Sequence, residues 1–216
     1  MPPARLFLVR HARTAANVSR ILRGPTGADD PLDPAGETQA LRLAAHLASL
    51  NLPAPRVYAS PYRRALQTAQ PIADALGVPL HLLDGVHEID PGEWVGRPYG
   101  DLRTHAHTLR REDGTLGFPG GESLEEVGER FRRALDNLPP DQTPIVVSHG
   151  GALTAVLAAL LDLPVAEAWA SGHLAHPNAA LTELERDGEG WRPVRLADAA
   201  HLDELDKAGE TPTGLN

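Results

Sequence analysis

Two short, unbroken apolar runs constrain this chain more than anything else in it: Leu6-Phe7-Leu8-Val9 near the start and Ile145-Val146-Val147 far downstream. Neither alternates polar with apolar residues, as a strand with one wet face would, and neither has the length of a helix. Both read as strands covered on two faces, the situation of inner strands in a parallel sheet layered between helices. The second run, preceded by Pro144 and nearly all β-branched, reads as central. Each run then ends in a histidine, within Arg10-His11 and within Ser148-His149-Gly150-Gly151. Ligands of open α/β sheets bind beyond the carboxyl ends of strands. Both histidines are therefore candidates for chemistry, against the plainer reading of polar loop residues at a strand end.

The residues between and after these runs alternate in the same way. Thr14 to Asp33 reads as a loop with a short helix near Ala15. Asp33-Pro34 is an N-cap followed by a first-turn proline. It predicts a helix from Pro34 to about Leu50 with Leu41, Ala44, Ala45, Leu47 and Ala48 inward. Arg56 to Ala59 is a strand. Ser60-Pro61 repeats the cap signal for a helix ending at Leu76, with Gly77 as its stop. Val78 to Leu83 is a strand and Tyr99 to Arg111 a helix. Ser123-Leu124-Glu125-Glu126 is a capping box for a helix reaching Leu138. A helix follows from Ala152 to Leu161 and a short one from Ala166 to Ser171. Ala180 to Glu185 and Trp191 to Leu196 form an antiparallel pair around Asp187-Gly188. The expected fold is α/β: a three-layer α/β/α sandwich with a mainly parallel central sheet. Residues 1–202 form a single domain, and the polar stretch 203–216 is a disordered tail.

Charge and composition remove several classes of function. A net charge of −9 over 216 residues argues against a nucleic-acid partner. Any anion site must be a local cluster of cations in an acidic protein. The absence of cysteine excludes disulfides and thiolate metal sites. With no signal-peptide pattern and no apolar run long enough to span a membrane, the expectation is a soluble cytoplasmic protein. The sequence does not speak to oligomeric state. Arg63-Arg64 opens a helix, where the dipole already disfavours cations; an anion bound there removes the conflict, and two solvated arginines are the alternative.

Arg10, His11, Arg64, Glu88 and His149 come from separate connections that can share one sheet edge. Arginines bind phosphoryl oxygens bidentately, a neutral imidazole can attack phosphorus, and a carboxylic acid can protonate a leaving oxygen. His105 and His107, two apart on a presumed helix, face apart and make poor metal partners. His46 and His81 read as surface or strand-edge positions. His173 and His176 are candidates for the rim of the pocket. Arg97, Arg103, Arg110 and Arg111 read as a solvated helix face.

On these residues the chain resembles the histidine phosphatase superfamily, in its phosphoglycerate-mutase-like branch. The matching blocks are Leu8-Val9-Arg10-His11-Ala12-Arg13-Thr14, Ser60-Pro61-Tyr62-Arg63-Arg64-Ala65, Glu88 with Gly92-Glu93-Trp94 to Gly96, Gly120-Gly121-Glu122-Ser123, and Val147-Ser148-His149-Gly150-Gly151. The resemblance implies catalysis by His11, Glu88 and His149. It further implies phosphate binding by Arg10, Arg64, His149, Asn17 and Gly150, with Thr14, Arg23, Gly24 and Glu122 in the substrate pocket. No metal or other cofactor is implied, and the partner is a small phosphorylated metabolite. Two positions depart from the family pattern. Ala12 replaces a usual glycine, at a cost of about 1 kcal/mol if positive φ is needed. Arg23 replaces a frequent glutamine, an extra cation that could favour multiply charged substrates.

The activity implied is hydrolysis of phosphomonoesters through a phosphohistidine. Two alternatives use the same pocket: a phosphoglycerate mutase and a non-catalytic phospho-ligand sensor. The family's mutases carry a long insertion between the acid loop and the Gly-Glu-Ser block. Here Gly92 to Gly121 is short, which favours hydrolysis, and intact His11, Glu88 and His149 disfavour the sensor.

Overall fold

The computed structural model describes residues 4–186, 188 and 190–202. Six strands form one sheet: β1 (Ala4–Arg10), β2 (Pro55–Ala59), β3 (Leu80–Leu82), β4 (Thr143–Ser148), β5 (Leu181–Arg186) and β6 (Trp191–Asp198). Their order is β3-β2-β4-β1-β5-β6. The pairs β3/β2, β2/β4 and β4/β1 are parallel, while β5 and β6 add an antiparallel edge. The expected sandwich is observed, its sheet parallel through β3, β2, β4 and β1 and closed by the antiparallel pair β5 and β6.

Both apolar runs lie at the centre, β4 between β1 and β2. Their period of two divides them between two cores. Leu6, Leu8 and Val146 pack with α5 (Leu124–Asp136) and α6 (Gly150–Leu160). Phe7, Val9, Ile145 and Val147 pack with α2 (Pro34–Ser49) and α3 (Arg63–Leu76). This is why neither run alternates: every residue faces a helix layer. The remaining helices are short, α1 (Ala15–Ser19), α4 (Asp101–Thr104) and α7 (Val165–Ser171). No helix among the described residues is long and apolar enough to cross a membrane.

The end signals hold where the side chain does what the sequence asks. Asp33 accepts the Gly36 N–H at 2.8 Å, and Ser123 and Glu126 form a reciprocal capping box. Gly77 closes α3 in the left-handed conformation at φ 66°. Three expectations fail. Helix α3 starts at Arg63, not behind a Ser60 cap, because the Ser60 hydroxyl is bonded to His149 at 2.8 Å. On α2 the buried stripe is Gln39, Ala40, Leu43, Ala44 and Leu47, leaving Leu41 and Ala45 exposed. The polar Gln39, which accepts the Arg13 N–H at 2.9 Å, hides the phase of that stripe in the sequence. The Tyr99–Arg111 helix is instead α4 followed by a 3-10 turn over Ala106–Leu109. With Leu102 and Leu109 as its buried apolar anchors, it has no continuous stripe to sustain a helix. The tail 203–216 and Asp187 lie outside the described residues.

Candidate active site

Register brings the two histidines together. Arg10 of β1 pairs with Ser148 of β4, so His11 and His149 leave the sheet side by side, their ring centroids 5.1 Å apart. Ala59 of β2 pairs with Val147, which puts Ser60 and the start of α3 at the same edge. Glu88 comes from the loop after β3.

The bonds of His11 fix its tautomer. Nδ1 lies 2.7 Å from the Ala12 carbonyl oxygen, which can only accept, so Nδ1 carries the proton. Nε2 receives the Arg64 Nε–H at 3.1 Å and therefore keeps its lone pair. Burial, then the charges of Arg64 and Arg10, hold the imidazole well below its usual pKa and so neutral. Burial is the larger of these causes. Ala12 does not have positive φ, and its N–H donates to Thr68 Oγ1 at 2.9 Å, so the alanine carries no backbone strain.

Arg64 also donates to the Gly27 carbonyl at 2.6 Å, and Arg10 donates to the His176 carbonyl at 2.5 Å. Among the described residues, Arg10 Nε and His149 Nδ1 are buried with no hydrogen-bond partner. His149 is fully buried behind His11 and does not line the cleft. Burial, then Arg64, holds its pKa well below the usual value too.

Glu88 sits at the amino end of α6, a favourable place for a carboxylate. Oε1 accepts the N–H groups of Ile89 at 3.0 Å and Ala152 at 2.9 Å, and Oε2 that of Gly151 at 3.3 Å. A Cβ on Gly151 would stand 2.9 Å from Oε1, so the glycine leaves room for the carboxylate. The acid loop is held from behind by Arg130, which donates to the carbonyls of Gly85 at 2.7 Å and Glu88 at 3.3 Å.

Arg10, His11, Thr14, Asn17, Arg23, Gly24, Arg64, Glu88 and Gly150 all line one cleft of about 680 Å³, part of it open to solvent. Glu122 is a correction: it does not line the cleft. Both its oxygens are held by Arg130, at 2.8 and 3.0 Å, and one also accepts the Asp90 N–H at 3.0 Å. It braces the acid loop instead. Gly121 beside it lies against that loop so closely that a Cβ would be 2.2 Å from the Asp90 carbonyl oxygen. Arg23 lines the cleft as expected, but Asp30 pairs with it through contacts of 2.9 and 3.2 Å, so it is not the extra free cation that the departure from the family pattern suggested.

His173 is exposed, and His176 lies beneath the site rather than on its rim. His176 Nδ1 donates to the Leu174 carbonyl at 2.9 Å and Nε2 accepts from Thr182 at 2.7 Å; burial lowers its pKa to about 4. Asn178 was missed by the sequence reading. Its Nδ2 donates to the His11 carbonyl at 2.9 Å and to Asn17 Oδ1 at 3.2 Å. The only signal for it is topological: β5 is antiparallel, so its amino end meets the carboxyl ends of β1 and β4. Among the described residues, no group of three or more His, Asp or Glu side chains is placed to hold a metal ion.

The profile of the histidine phosphatase superfamily (branch 1) matches residues 6–199. A Yersinia enterocolitica protein named "Probable phosphoglycerate mutase GpmB" is 35% identical over 210 residues, covering 92% of this chain and 94% of its own. The mycobacterial glucosyl-3-phosphoglycerate phosphatase superposes with TM-score 0.75 at 30% identity, over 91% of this chain and 100% of its own. That phosphatase has also been solved with VO3. An Entamoeba histolytica phosphoserine phosphatase variant, in complex with phosphoserine, gives TM-score 0.76 at 25% identity, over 92% and 99%.

Proposed function

The chain belongs to the histidine phosphatase superfamily (branch 1), and from that premise we propose that it hydrolyses small phosphomonoesters through a phosphohistidine, without a metal ion. The observation that carries this reading is the His11 ring, which is neutral, with its proton fixed on Nδ1 and its lone pair on Nε2 among arginines. That is the state a nucleophile toward phosphorus needs.

The Nε2 lone pair attacks phosphorus as the bond to the leaving oxygen breaks. Arg10 and Arg64 bind the phosphoryl oxygens and take the place of a metal in countering their charge. The buried Arg10 Nε, on an arginine that lines the cleft, becomes satisfied by one of those oxygens. Glu88 gives its proton to the leaving oxygen. In the second step its carboxylate takes a proton from water, whose oxygen attacks phosphorus, and the P–N bond breaks to release phosphate and free His11.

A second reading, favoured by the name of the Yersinia relative, is a mutase that returns the phosphoryl group to phosphoglycerate. Both readings share His11, so the test has two parts. Brief incubation with a labelled phosphomonoester in excess EDTA should leave acid-labile, base-stable label on His11, and vanadate should inhibit turnover. Label on a serine or aspartate, or activity that needs a divalent ion, would overturn the mechanism. Net 3- to 2-phosphoglycerate interconversion faster than phosphate release would select the mutase.

A further inference from the structure

Beyond the phosphoryl end, the cleft changes character. Its far wall is built from Leu22, Ile89, Tyr99, Leu102, Phe118 and Trp169. Leu102, Phe118 and Trp169 also belong to the core behind the sheet, so this wall is held by packing. Among the described residues, the charged side chains lining the cleft are Arg10, Arg23 and Arg64 against Asp30 and Glu88. Arg10 and Arg64 flank His11 and are taken up by the transferring group. Arg23 alone remains to meet a second anion, and Asp30 grips it with both carboxylate oxygens. Arg23 and Asp30, with Thr14, Ala16 and Ile21, also line a second hollow beside the cleft.

We propose that the substrates are phosphomonoesters whose leaving group is uncharged and apolar or aromatic, and that Asp30, by occupying Arg23, discriminates against a leaving group bearing a carboxylate or second phosphate. This rests on the proposed phosphatase reading and narrows it. An apolar leaving group covers the far wall and sheds water from it. A carboxylate there meets no available cation, loses its hydration and faces the Asp30 charge. Removing the Asp30 charge while keeping its shape frees the Arg23 guanidinium for a second anion.

Non-hydrolysable phosphonates read this preference by calorimetry without turnover. Phenylethylphosphonate should bind the wild type at least about tenfold more tightly than carboxyethylphosphonate, the scale of discrimination a shaped apolar pocket gives. Asp30→Asn should bring the two within about threefold, chiefly by tightening the carboxylate ligand. Carboxyethylphosphonate binding the wild type as well as or better than phenylethylphosphonate would overturn the proposal, as would an unchanged ratio in folded Asp30→Asn. If the variant does not fold, the wild-type ratio alone decides the substrate class. Correct binding preferences with no hydrolysis of any phosphomonoester would instead defeat the phosphatase reading and leave the cleft chemistry standing.

Discussion

The phosphoryl end of the cleft and its leaving-group end meet at Glu88 and Ile89 but are built from different materials. At the first, His11, His149 and Arg64 are almost wholly buried, His11 and Arg64 tied to backbone and to each other and His149 to the Ser60 hydroxyl. Strand register sets their positions, and central strands cannot slip without turning their side chains to the wrong face. At the second, Leu22, Arg23 and Tyr99 sit on loops, partly exposed, and present apolar surface and one internal ion pair to the cleft. Rigidity is therefore concentrated where bonds change, and tolerance lies where substrates differ.

The contrast sets the size of each expected effect. His11→Ala should lower kcat on the order of 10⁴- to 10⁶-fold, the range seen when a nucleophile is removed. The thermal melt should stay cooperative; retained turnover would remove His11 from the chemistry. Glu88→Gln should slow phosphorylation of His11 by an alkyl phosphate about 10²- to 10⁴-fold, and by nitrophenyl phosphate far less, since nitrophenolate leaves without a proton. Rapid-quench measurement isolates that step. Equal losses would mean that Glu88 only positions the phosphate, for disturbing its three backbone bonds would affect both substrates alike.

Acid should damage the phosphoryl end selectively, because the buried neutral histidines are there. The folded pKa of His176, about 4, lies below its unfolded value, so the unfolded chain takes the proton first as pH falls. Stability is full above about pH 6.5 and is lost toward pH 4, by on the order of 3 kcal/mol from His176 alone. His11 and His149 act in the same direction. Urea midpoints between pH 7 and pH 4 should fall accordingly, and His176→Gln should flatten the slope; a flat wild-type profile would contradict it. The smallest effect belongs to the far wall. Leu22→Ala should raise KM for an apolar phosphomonoester about tenfold while kcat changes little. A fall in kcat with KM unchanged would mean the two ends are not separable.

Much of this molecule is legible in the order of its residues. The two apolar runs announce doubly covered strands, Asp33 and Ser123 announce helix starts, and Gly77 announces an end. The blocks around His11, Arg64, Glu88 and His149 announce the residues that the sheet edge gathers. These features are local, set by covalent stiffness, side-chain reach to the nearest N–H, and the period of two or 3.6. What the sequence left undetermined depends on partners distant along the chain. Glu122 looks like a pocket residue until Arg130 is found holding it behind the acid loop. Arg23 looks like a free cation until the loop folds Asp30 onto it. Asn178 reaches His11 only because β5 runs antiparallel to β1. Which charges are cancelled, which polar atoms stay unmet, and which proton a histidine carries depend on the neighbours that burial supplies. Those neighbours are chosen by tertiary packing, and no local rule of the chain selects them.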